Sequence, residues 1–485
     1  MKDENTIKKL GRKPLLDADK KKKTSVYLNN REIDIISKIE SNGSFSRKCS
    51  KLIEKAIDEF IDISNDTIKF IDLFSGMGGI RIGFERAMNK RGVKTKCVMS
   101  SEIKKSAIKV YENYFKDIES VKGDISKIPS SSIPDFDYLL AGFPCQPFSH
   151  AGNRLGFSDT RGTLFFEIER IINDKKPRGF ILENVEGLVN HDKGRTLKII
   201  LEKLNNMGYN VTYRVLDSSE FGLAQARKRV YIVGHEKYNV DIDNFIKKKS
   251  VFKNVQESNI NSPKTYFSKK LLSKYSPEQL YGKSIKDKRG GKSNIHSWDI
   301  GIKGDINPIQ KKLLEILLKE RRKKKWADII GIKWMDGMPL TLEQIRTFFE
   351  IEGLERQLKE LVNMGYLVYE HPKEFINGRR IPDESKPKGY NIVTGKLSFE
   401  YSKILDPNGL TPTIVATDAI KLGVIDNGNL RPLTLREGAR LFGFPDSYSF
   451  DGVTYREGLD LLGNTVCIPV IEHIADKIAS IELME

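Results

Sequence analysis

Short apolar runs alternate with amphipathic stretches between residues 66 and 236. Six runs have the length and composition of buried strands: 68–74, 94–100, 135–143, 178–185, 210–217 and 228–234. Four stretches between them carry apolar residues at helical spacing: 80–90, 104–115, 163–174 and 196–208. Because strands that alternate with helices build layered sheets, this pattern predicts an α/β fold with a doubly wound, mostly parallel sheet.

Reactive and glycine-rich residues follow the ends of these runs. They are "FSGMGG" (74–79) after the first run, Glu102 at the end of the second, "GDI" (123–125) before a turn, Cys145 between Pro144 and Pro147 after the third, and Glu183 with Asn184 at the end of the fourth. Open parallel sheets bind ligands beyond the carboxyl ends of their strands. We therefore expect one active site at this edge, with Cys145 facing an opening.

The residue types at this edge are suited to attack on an electron-poor carbon. The Cys145 thiol is the candidate nucleophile, and Glu183 on the next strand could protonate a ring nitrogen, because burial raises the pKa of a carboxyl group. The motif "QARKR" (225–229) adds guanidinium groups that could hold a carbonyl oxygen. An ordinary pair of surface arginines would have the same sequence. The loop from Ser149 to Gly162 is a candidate lid.

The alternation of predicted strands and helices ends after residue 236. Segment 237–410 contains polar stretches, a basic helical run (309–326) and, at 340–370, two helices and a strand reminiscent of a helix-turn-helix with a wing. Any packed helical pair would give the same pattern, so DNA reading by these helices stays open. Beyond it we expect a strand at 412–417, a helix closed by a glycine turn at 433–448, and an apolar helix at 462–481 that returns to the first domain.

The first 62 residues form a unit of their own. An alternating stretch (22–30) precedes two amphipathic stretches (31–41 and 44–60), an order that resembles the ribbon-helix-helix repressors. The resemblance implies that Lys23, Ser25 and Tyr27 face DNA bases, that Arg47 lies at a phosphate-binding helix start, and that two chains pair as a homodimer. A docking or dimerisation arm without DNA contact is the alternative.

Charge is concentrated outside the region that carries the cysteine motif. Of the net charge of +17, segment 1–60 carries +5 and segment 241–410 carries +11. Such basic segments are expected to contact a polyanion, although a lysine-rich solvated surface would look the same. Cys49, Cys97, Cys145 and Cys467 are far apart, which favours reduced thiols over a disulfide framework or a metal site. The sequence has neither a secretory signal nor a membrane-spanning run, so a cytoplasmic location is expected.

Six blocks occur in a fixed order: "FIDLFSGMGG", "GFPCQPFS", "ENVEGL", "QARKRVYIVG", "LTLREGARLFGFPD" and "LGNTV". Together they resemble the DNA (cytosine-5) methyltransferases over residues 66–236 and 411–485, about half of the chain. The resemblance implies a Rossmann-like, S-adenosylmethionine-dependent catalytic domain divided into those two parts, with a target-recognition domain inserted at 237–410. It also implies double-stranded DNA as substrate and a restriction endonuclease as functional partner.

The family pattern implies a role for each motif residue. Cys145 would add to C6 of a flipped-out cytosine, Glu183 would protonate N3, Arg227 would hold the base carbonyl, and Asn184 and Arg229 would support the site. The residues implied for S-adenosylmethionine are Phe74, Ser75, Gly76, Gly78, Glu102, Asp124, Ile125, Asn464 and Val466. Ser149 and Gln225 are expected to contact DNA. At position 103, where many members carry a tryptophan against the adenine, this chain has isoleucine.

Two other functions remain open at this point. A tRNA cytosine-5 methyltransferase would share the cysteine and glutamate blocks, but its recognition region is typically short, whereas this one spans about 170 residues. A DNA-binding regulator with a degenerate catalytic domain is the other. The complete set of Cys145, Glu183, Arg227 and Asn464 argues against it.

Overall fold

The computed structural model describes residues 49, 67–117, 120–144, 163–288, 290–291, 293–376, 379–394, 399–415 and 417–484. Residues 67–485 belong to one compact unit. The predictions for Lys23, Ser25, Tyr27, Arg47, Cys145 and Ser149 fall on residues outside the described ranges.

A six-stranded sheet is built from the six predicted runs. Its strands are β1 (Ile68–Leu73), β2 (Thr95–Ser101), β3 (Tyr138–Gly142), β4 (Gly179–Val185), β5 (Asn210–Asp217) and β6 (Lys228–His235). They lie in the order β2-β1-β3-β4-β6-β5. Neighbours from β2 to β4 pair in parallel, whereas β6 runs antiparallel to both β4 and β5. The prediction of a mostly parallel sheet is therefore confirmed.

Helices cover the sheet on both faces. They are α1 (Gly79–Lys90), α2 (Lys105–Tyr114), α3 (Thr163–Lys175), α4 (Gly187–Asn190) and α5 (Arg195–Asn206). Along β3, Tyr138 and Leu140 join one apolar core while Leu139 and Ala141 join the other. This alternation is what a strand buried on both faces requires, because successive side chains point to opposite sides.

The segment after residue 236 contains short elements around two further apolar cores. They are α6 (Tyr266–Lys274), α7 (Pro277–Leu280), β7 (Ser284–Ile285), β8 (Asn294–Ile295), α8 (Ser297–Ile300), α9 (Pro308–Glu320), α10 (Lys324–Ile330), α11 (Leu342–Arg346), α12 (Leu354–Asn363), β9 (Leu367–Glu370), β10 (Lys373–Ile376), β11 (Arg379–Pro382), β12 (Gly389–Ile392) and β13 (Lys403–Ile404). The basic run 309–326 is divided between α9 and α10. The two helices and the strand predicted at 340–370 are α11, α12 and β9, and an antiparallel hairpin of β10 and β11 follows them.

The closing part of the chain contains β14 (Leu422–Asp426), β15 (Asn429–Pro432), α13 (Leu435–Arg440), α14 (Tyr455–Gly463) and α15 (Ile468–Glu482). A five-stranded sheet, in the order β15-β14-β13-β7-β8, takes strands from both sides of the predicted boundary at 410. The helix predicted at 433–448 is α13, and Gly443 in the turn after it has φ +85°.

The strand predicted at 412–417 is wrong. Residues 412–415, the described residues before position 416, form no β-ladder. The bridge next to them joins Thr411 to Gln225. The Ile414 N–H donates to the Gln225 side chain and its carbonyl accepts from Arg227, so side chains satisfy these backbone groups in place of a neighbouring strand.

The returning apolar helix is confirmed, because α15 packs along α1. Gly83 lies at this contact, where a Cβ would come within 2.6 Å of Ile471 Cβ and 3.0 Å of the Ile468 carbonyl oxygen. The glycine therefore sets how closely the first and last helices approach. Among the described residues, no helix is long and apolar enough to cross a membrane.

We expect Gly83→Ala to lower the free energy of unfolding by about 1–3 kcal/mol, because the added methyl group overpacks the contact between α1 and α15. Urea denaturation of the full chain measures this. The control is Gly123→Ala, since a Cβ at Gly123 meets open space. Equal stability of the two variants would contradict the close packing assigned to Gly83.

Candidate active site

The loop between β1 and α1 depends on left-handed backbone conformations. Phe74, Gly76 and Gly78 have φ of +53°, +52° and +76°. A Cβ at Gly78 would come within 2.3 Å of the Phe115 ring and 3.0 Å of the Tyr111 ring. Because L-residues avoid this conformation and no side chain fits there, the glycine is required at the start of α1.

Glu102 ties the end of β2 to this loop. One carboxylate oxygen accepts from the Gly76 N–H at 2.9 Å, and the other accepts from the N–H groups of Ile103 and Lys104 at 2.8 Å each. Three backbone donors thus fix the carboxylate beside the glycine loop. The Ile103 side chain is 72% exposed next to it.

Asp124 follows α2 in the chain and caps a single helical turn, Ile125–Lys127. Its carboxylate accepts from the Ser126 N–H at 3.1 Å and from the Ser126 hydroxyl at 2.7 Å. These hydrogen bonds lower the pKa of Asp124, so the group is a carboxylate at neutral pH. Ile125 is buried beneath the turn.

The closing part of the chain reaches the same loop from the other side. A Cβ at Gly79 would come within 2.9 Å of Val466 and 3.0 Å of Thr465. Asn464 donates to the Asp460 carbonyl at 2.8 Å, and Asp460 also forms an ion pair with Lys104. The sequence-predicted residues from 74 to 125 and from 464 to 466 are therefore brought together.

Glu183 and Arg229 form a buried pair on β4 and β6. Arg229 Nε lies 3.0 Å from Glu183 Oε1, and the two side chains are 11% and 14% exposed. Burial raises the pKa of Glu183, while the charges of Arg229 and Arg227 partly oppose that rise. The carboxyl group is thereby prepared to hold a proton closer to neutral pH than a solvated glutamate would.

Asn184 links the ends of β3 and β4. Its amide nitrogen donates to the Phe143 carbonyl at 3.0 Å, and its amide oxygen accepts from the Val185 N–H at 2.8 Å. Phe143 and Pro144 directly precede Cys145, so this amide fixes the backbone that leads to the thiol-bearing residue.

Arg227 is placed differently from its predicted role at a base carbonyl. Its guanidinium donates to the carbonyl oxygens of Ile414 at 2.9 Å, Gly463 at 3.1 Å and Thr465 at 2.8 Å, and the residue is 3% exposed. Burial lowers the pKa of Arg227 to about 10. Arg229, which the sequence suggested as the bracing group, is the arginine that lies beside Glu183.

Gln225 also differs from its prediction as a DNA contact. It is fully buried, its amide nitrogen donates to the Leu441 carbonyl at 3.1 Å, and its amide oxygen accepts from the Ile414 N–H at 3.0 Å. Both ends of the side chain are committed to the backbone, so the predicted DNA contact is wrong.

Thr413 is a residue that the sequence reasoning missed. It lines a cavity of about 380 Å³ together with Val185, Glu186, Gly187, Asp217, Ala226, Lys228 and Arg229, and its hydroxyl donates to the Ala226 carbonyl at 2.6 Å. A threonine within an apolar stretch has no chemical signature. Long-range contacts with residues 224–227, among them the bridge between Thr411 and Gln225, bring it to this edge.

Comparisons with known proteins identify the family. Residues 68–480 match the family model for the C-5 cytosine-specific DNA methylases. The chain is 57% identical to the type II methyltransferase M.NlaIV of Neisseria lactamica over 418 residues, which cover 85% of this chain and 98% of that protein. It is 44% identical to M.BanI of Aneurinibacillus aneurinilyticus over 439 residues, with coverages of 85% and 95%.

The fold and the paired strand-end residues define an α/β methyltransferase. The chain belongs to the C-5 cytosine-specific DNA methylase family, and it is therefore a DNA (cytosine-5) methyltransferase. Members of this family take their methyl group from S-adenosylmethionine.

The residues around the glycine loop fit that cofactor. The Ser75 hydroxyl is buried and has no hydrogen-bond partner among the described residues, which leaves it available to a ligand. Beside it, the Glu102 carboxylate provides an acceptor at a strand end, where nucleoside hydroxyl groups are bound in such sheets.

The two arginines should respond differently to substitution. Arg227→Met leaves three buried carbonyl groups unpaired, so we expect the free energy of unfolding to fall by about 3 kcal/mol or more. Arg229→Met should cost less stability and lower kcat by about 100-fold or more, because it removes a charge beside the reacting base. Urea denaturation and methyl-transfer kinetics on both variants measure this. Retained kcat in Arg229→Met would contradict the arrangement.

Proposed function

We propose that this enzyme is the modification methyltransferase of a type II restriction-modification system, acting on one cytosine of a short site in double-stranded DNA. The observation that carries the proposal is the buried Glu183–Arg229 pair at the carboxyl edge of the sheet, beside the backbone that leads to Cys145. The sequence identity of the chain with type II methyltransferases also supports the assignment.

In the proposed mechanism, Cys145 and Glu183 activate the base together. The cysteine sulfur bonds to C6 of the cytosine while Glu183 supplies a proton to N3, so the electrons of the C5–C6 double bond become available at C5. The raised pKa of Glu183 supports its role as the proton donor. Once C5 has taken up the methyl group, its proton is lost to a base, the C5–H electrons re-form the C5–C6 double bond as the sulfur leaves C6 as a thiolate, N3 returns its proton to Glu183, and 5-methylcytosine is released.

We assign the base carbonyl to Arg229 and not to Arg227. Arg229 Nε pairs with Glu183 and its Nη1 donates to the Lys228 carbonyl at 2.8 Å, so we assign the base carbonyl to Nη2. Asn184 holds the backbone of Phe143, two residues before Cys145, and Arg227 holds the closing segment against the site. The target base must leave the duplex to reach these groups.

For the cofactor we retain the predicted residues. Phe74, Ser75, Gly76 and Gly78 would meet the adenosine and methionine parts, Glu102 the ribose hydroxyls, Asp124 with Ile125 the adenine, and Asn464 with Val466 the methionine end. Bound there, S-adenosylmethionine supplies an electrophilic methyl group. The ionised state of Asp124 supports its role as an acceptor for the adenine amine.

Recognition of the DNA site is assigned to the inserted segment 237–410. Support comes from the charge of +11 on its residues 241–410 and from the two helices with a following hairpin, α11, α12, β10 and β11. A cognate restriction endonuclease is the expected functional partner. A cytoplasmic location follows from a chromosomal substrate.

We expect the full chain, incubated with plasmid DNA and S-adenosylmethionine, to place methylcytosine at one recurrent short motif. Cys145→Ala should give none, because it removes the sulfur that we assign to the bond with C6. Bisulfite sequencing reads both results.

The matched control is Cys49→Ala, since Cys49 lies outside the family match. It should methylate like the unchanged chain. If the plasmid stays unmethylated while bulk tRNA is methylated, the tRNA cytosine-5 methyltransferase is favoured. If neither is methylated, the DNA-binding regulator is favoured.

The N-terminal unit, residues 1–62, lies outside the matched range 68–480. We propose that it is a ribbon-helix-helix module that binds DNA through Lys23, Ser25, Tyr27 and Arg47, and that it represses the promoter of its own gene. The order of one alternating stretch and two amphipathic stretches supports this.

A ribbon-helix-helix module needs two chains to complete its ribbon. We therefore expect light scattering of the full chain at micromolar concentration to give twice the mass of one 55.3 kDa chain. A single-chain mass would contradict the module.

A further inference from the structure

A buried polar cluster lies beneath the glycine loop and takes no part in the proposed chemistry. Its centre is the hydroxyl of Tyr111 on α2. This hydroxyl donates to Asp72 Oδ2 at 3.1 Å, accepts from Arg81 Nη1 at 3.3 Å and lies 2.6 Å from the Ser100 hydroxyl. All four residues are at most 2% exposed.

The cluster connects every element that carries a predicted cofactor residue before position 103. Asp72 lies on β1, two residues before Phe74, and Ser100 lies on β2, two residues before Glu102. Arg81 belongs to the first turn of α1, immediately after the glycine loop. One hydroxyl on α2 therefore sets the spacing between the loop and both strand ends.

The Tyr111 ring also contacts the loop directly. A Cβ at Gly78 would come within 3.0 Å of it and closer still to Phe115, whose ring lies 4.5 Å from that of Tyr111. The Arg81 guanidinium lies over the Phe115 ring at 3.9 Å. A small rotation of α2 would therefore move these rings against Gly78, the left-handed residue directly before α1.

The Tyr111 hydroxyl keeps its hydrogen-bond partners in either charge state of Asp72, whose other oxygen, Oδ1, is buried and has no partner among the described residues. With a carboxylate, Tyr111 donates to Asp72 and Ser100 donates to Tyr111. With a protonated carboxyl group, Asp72 donates to Tyr111, Tyr111 donates to Ser100, and Ser100 donates to Cys97 Sγ at 3.4 Å, while Arg81 still donates to Tyr111. Burial raises the pKa of Asp72 to about 7, yet the hydroxyl keeps its partners on both sides of that pH.

We infer that Tyr111 is a positioning residue for S-adenosylmethionine: its hydroxyl, shared between Asp72, Arg81 and Ser100, holds the loop 74–78 in the conformation that binds the cofactor. This inference rests on the proposed cofactor site. It assigns Tyr111 no contact with the cofactor itself.

The test is Tyr111→Phe in the full chain, which keeps the ring and removes the hydroxyl. We expect the dissociation constant and the KM for S-adenosylmethionine to rise at least about fivefold, as the loss of one buried hydrogen bond allows. The KM for DNA should change less than twofold. Calorimetry with S-adenosylmethionine measures binding directly, and methyl-transfer kinetics give the two KM values.

The matched control is Tyr209→Phe. Tyr209 is a buried tyrosine in the core on the other face of the sheet, and its hydroxyl donates to the Pro177 carbonyl at 2.6 Å. This variant should lose similar thermal stability while its dissociation constant for S-adenosylmethionine is unchanged. Equal dissociation constants for the two variants would overturn the inference.

Ser100→Ala provides a second variant should Tyr111→Phe not fold. It removes one hydroxyl partner and keeps the aromatic packing, and we expect it to weaken cofactor binding in the same direction. An unchanged dissociation constant would count against the inference. Because binding is read without DNA, an unchanged chain that binds the cofactor but transfers no methyl group would contradict the proposed function alone.

Discussion

The buried guanidinium of Arg227 is the interaction on which the catalytic core depends. It donates to carbonyl oxygens of residues 414, 463 and 465, which lie 187 to 238 positions later in the chain. Gln225 adds two more side-chain bonds to distant backbone, donating to the Leu441 carbonyl and accepting from the Ile414 N–H. The two side chains close a core whose halves are separated by the inserted segment, and each backbone group they satisfy would otherwise be buried without a partner.

With that core closed, the active-site edge has two parts with different physical demands. The cofactor part is built from backbone: left-handed residues, strand-end carboxylates and close glycine contacts that leave room for a ligand. The catalytic part is built from side-chain charge, where the low exposure of Glu183 raises its pKa and Arg229 limits the rise. Both parts meet at the end of β3, where Asn184 fixes the backbone of Phe143.

The sequence predicts the sheet and the strand-end residues well, because buried parallel strands and glycine turns have local signatures. Glu183, Asn184, Glu102 and the loop 74–78 all lie where alternation alone placed them. The roles of the two arginines could not be read in this way, since Arg227 precedes the first residue of β6 and turns into the core, while Arg229 is the second residue of that strand and lies beside Glu183. The backbone conformation of residues 412–415 could not be predicted either, because its partners are side chains nearly 190 residues earlier. Local patterns carry no information about such contacts.

The two ends of the inserted segment are hydrogen-bonded to each other. The Thr411 and Ala226 N–H groups pair with the carbonyls of Ala224 and Thr411, and the N–H groups of Phe252 and Lys253 donate to the carbonyls of Gly409 and Pro407. The chain thus leaves the core and returns to it at neighbouring points, and the sheet β15-β14-β13-β7-β8 also joins this segment to the closing part. Residues 308–392 supply most of a separate apolar core, so a change of length within them would leave both the paired ends and this sheet in place.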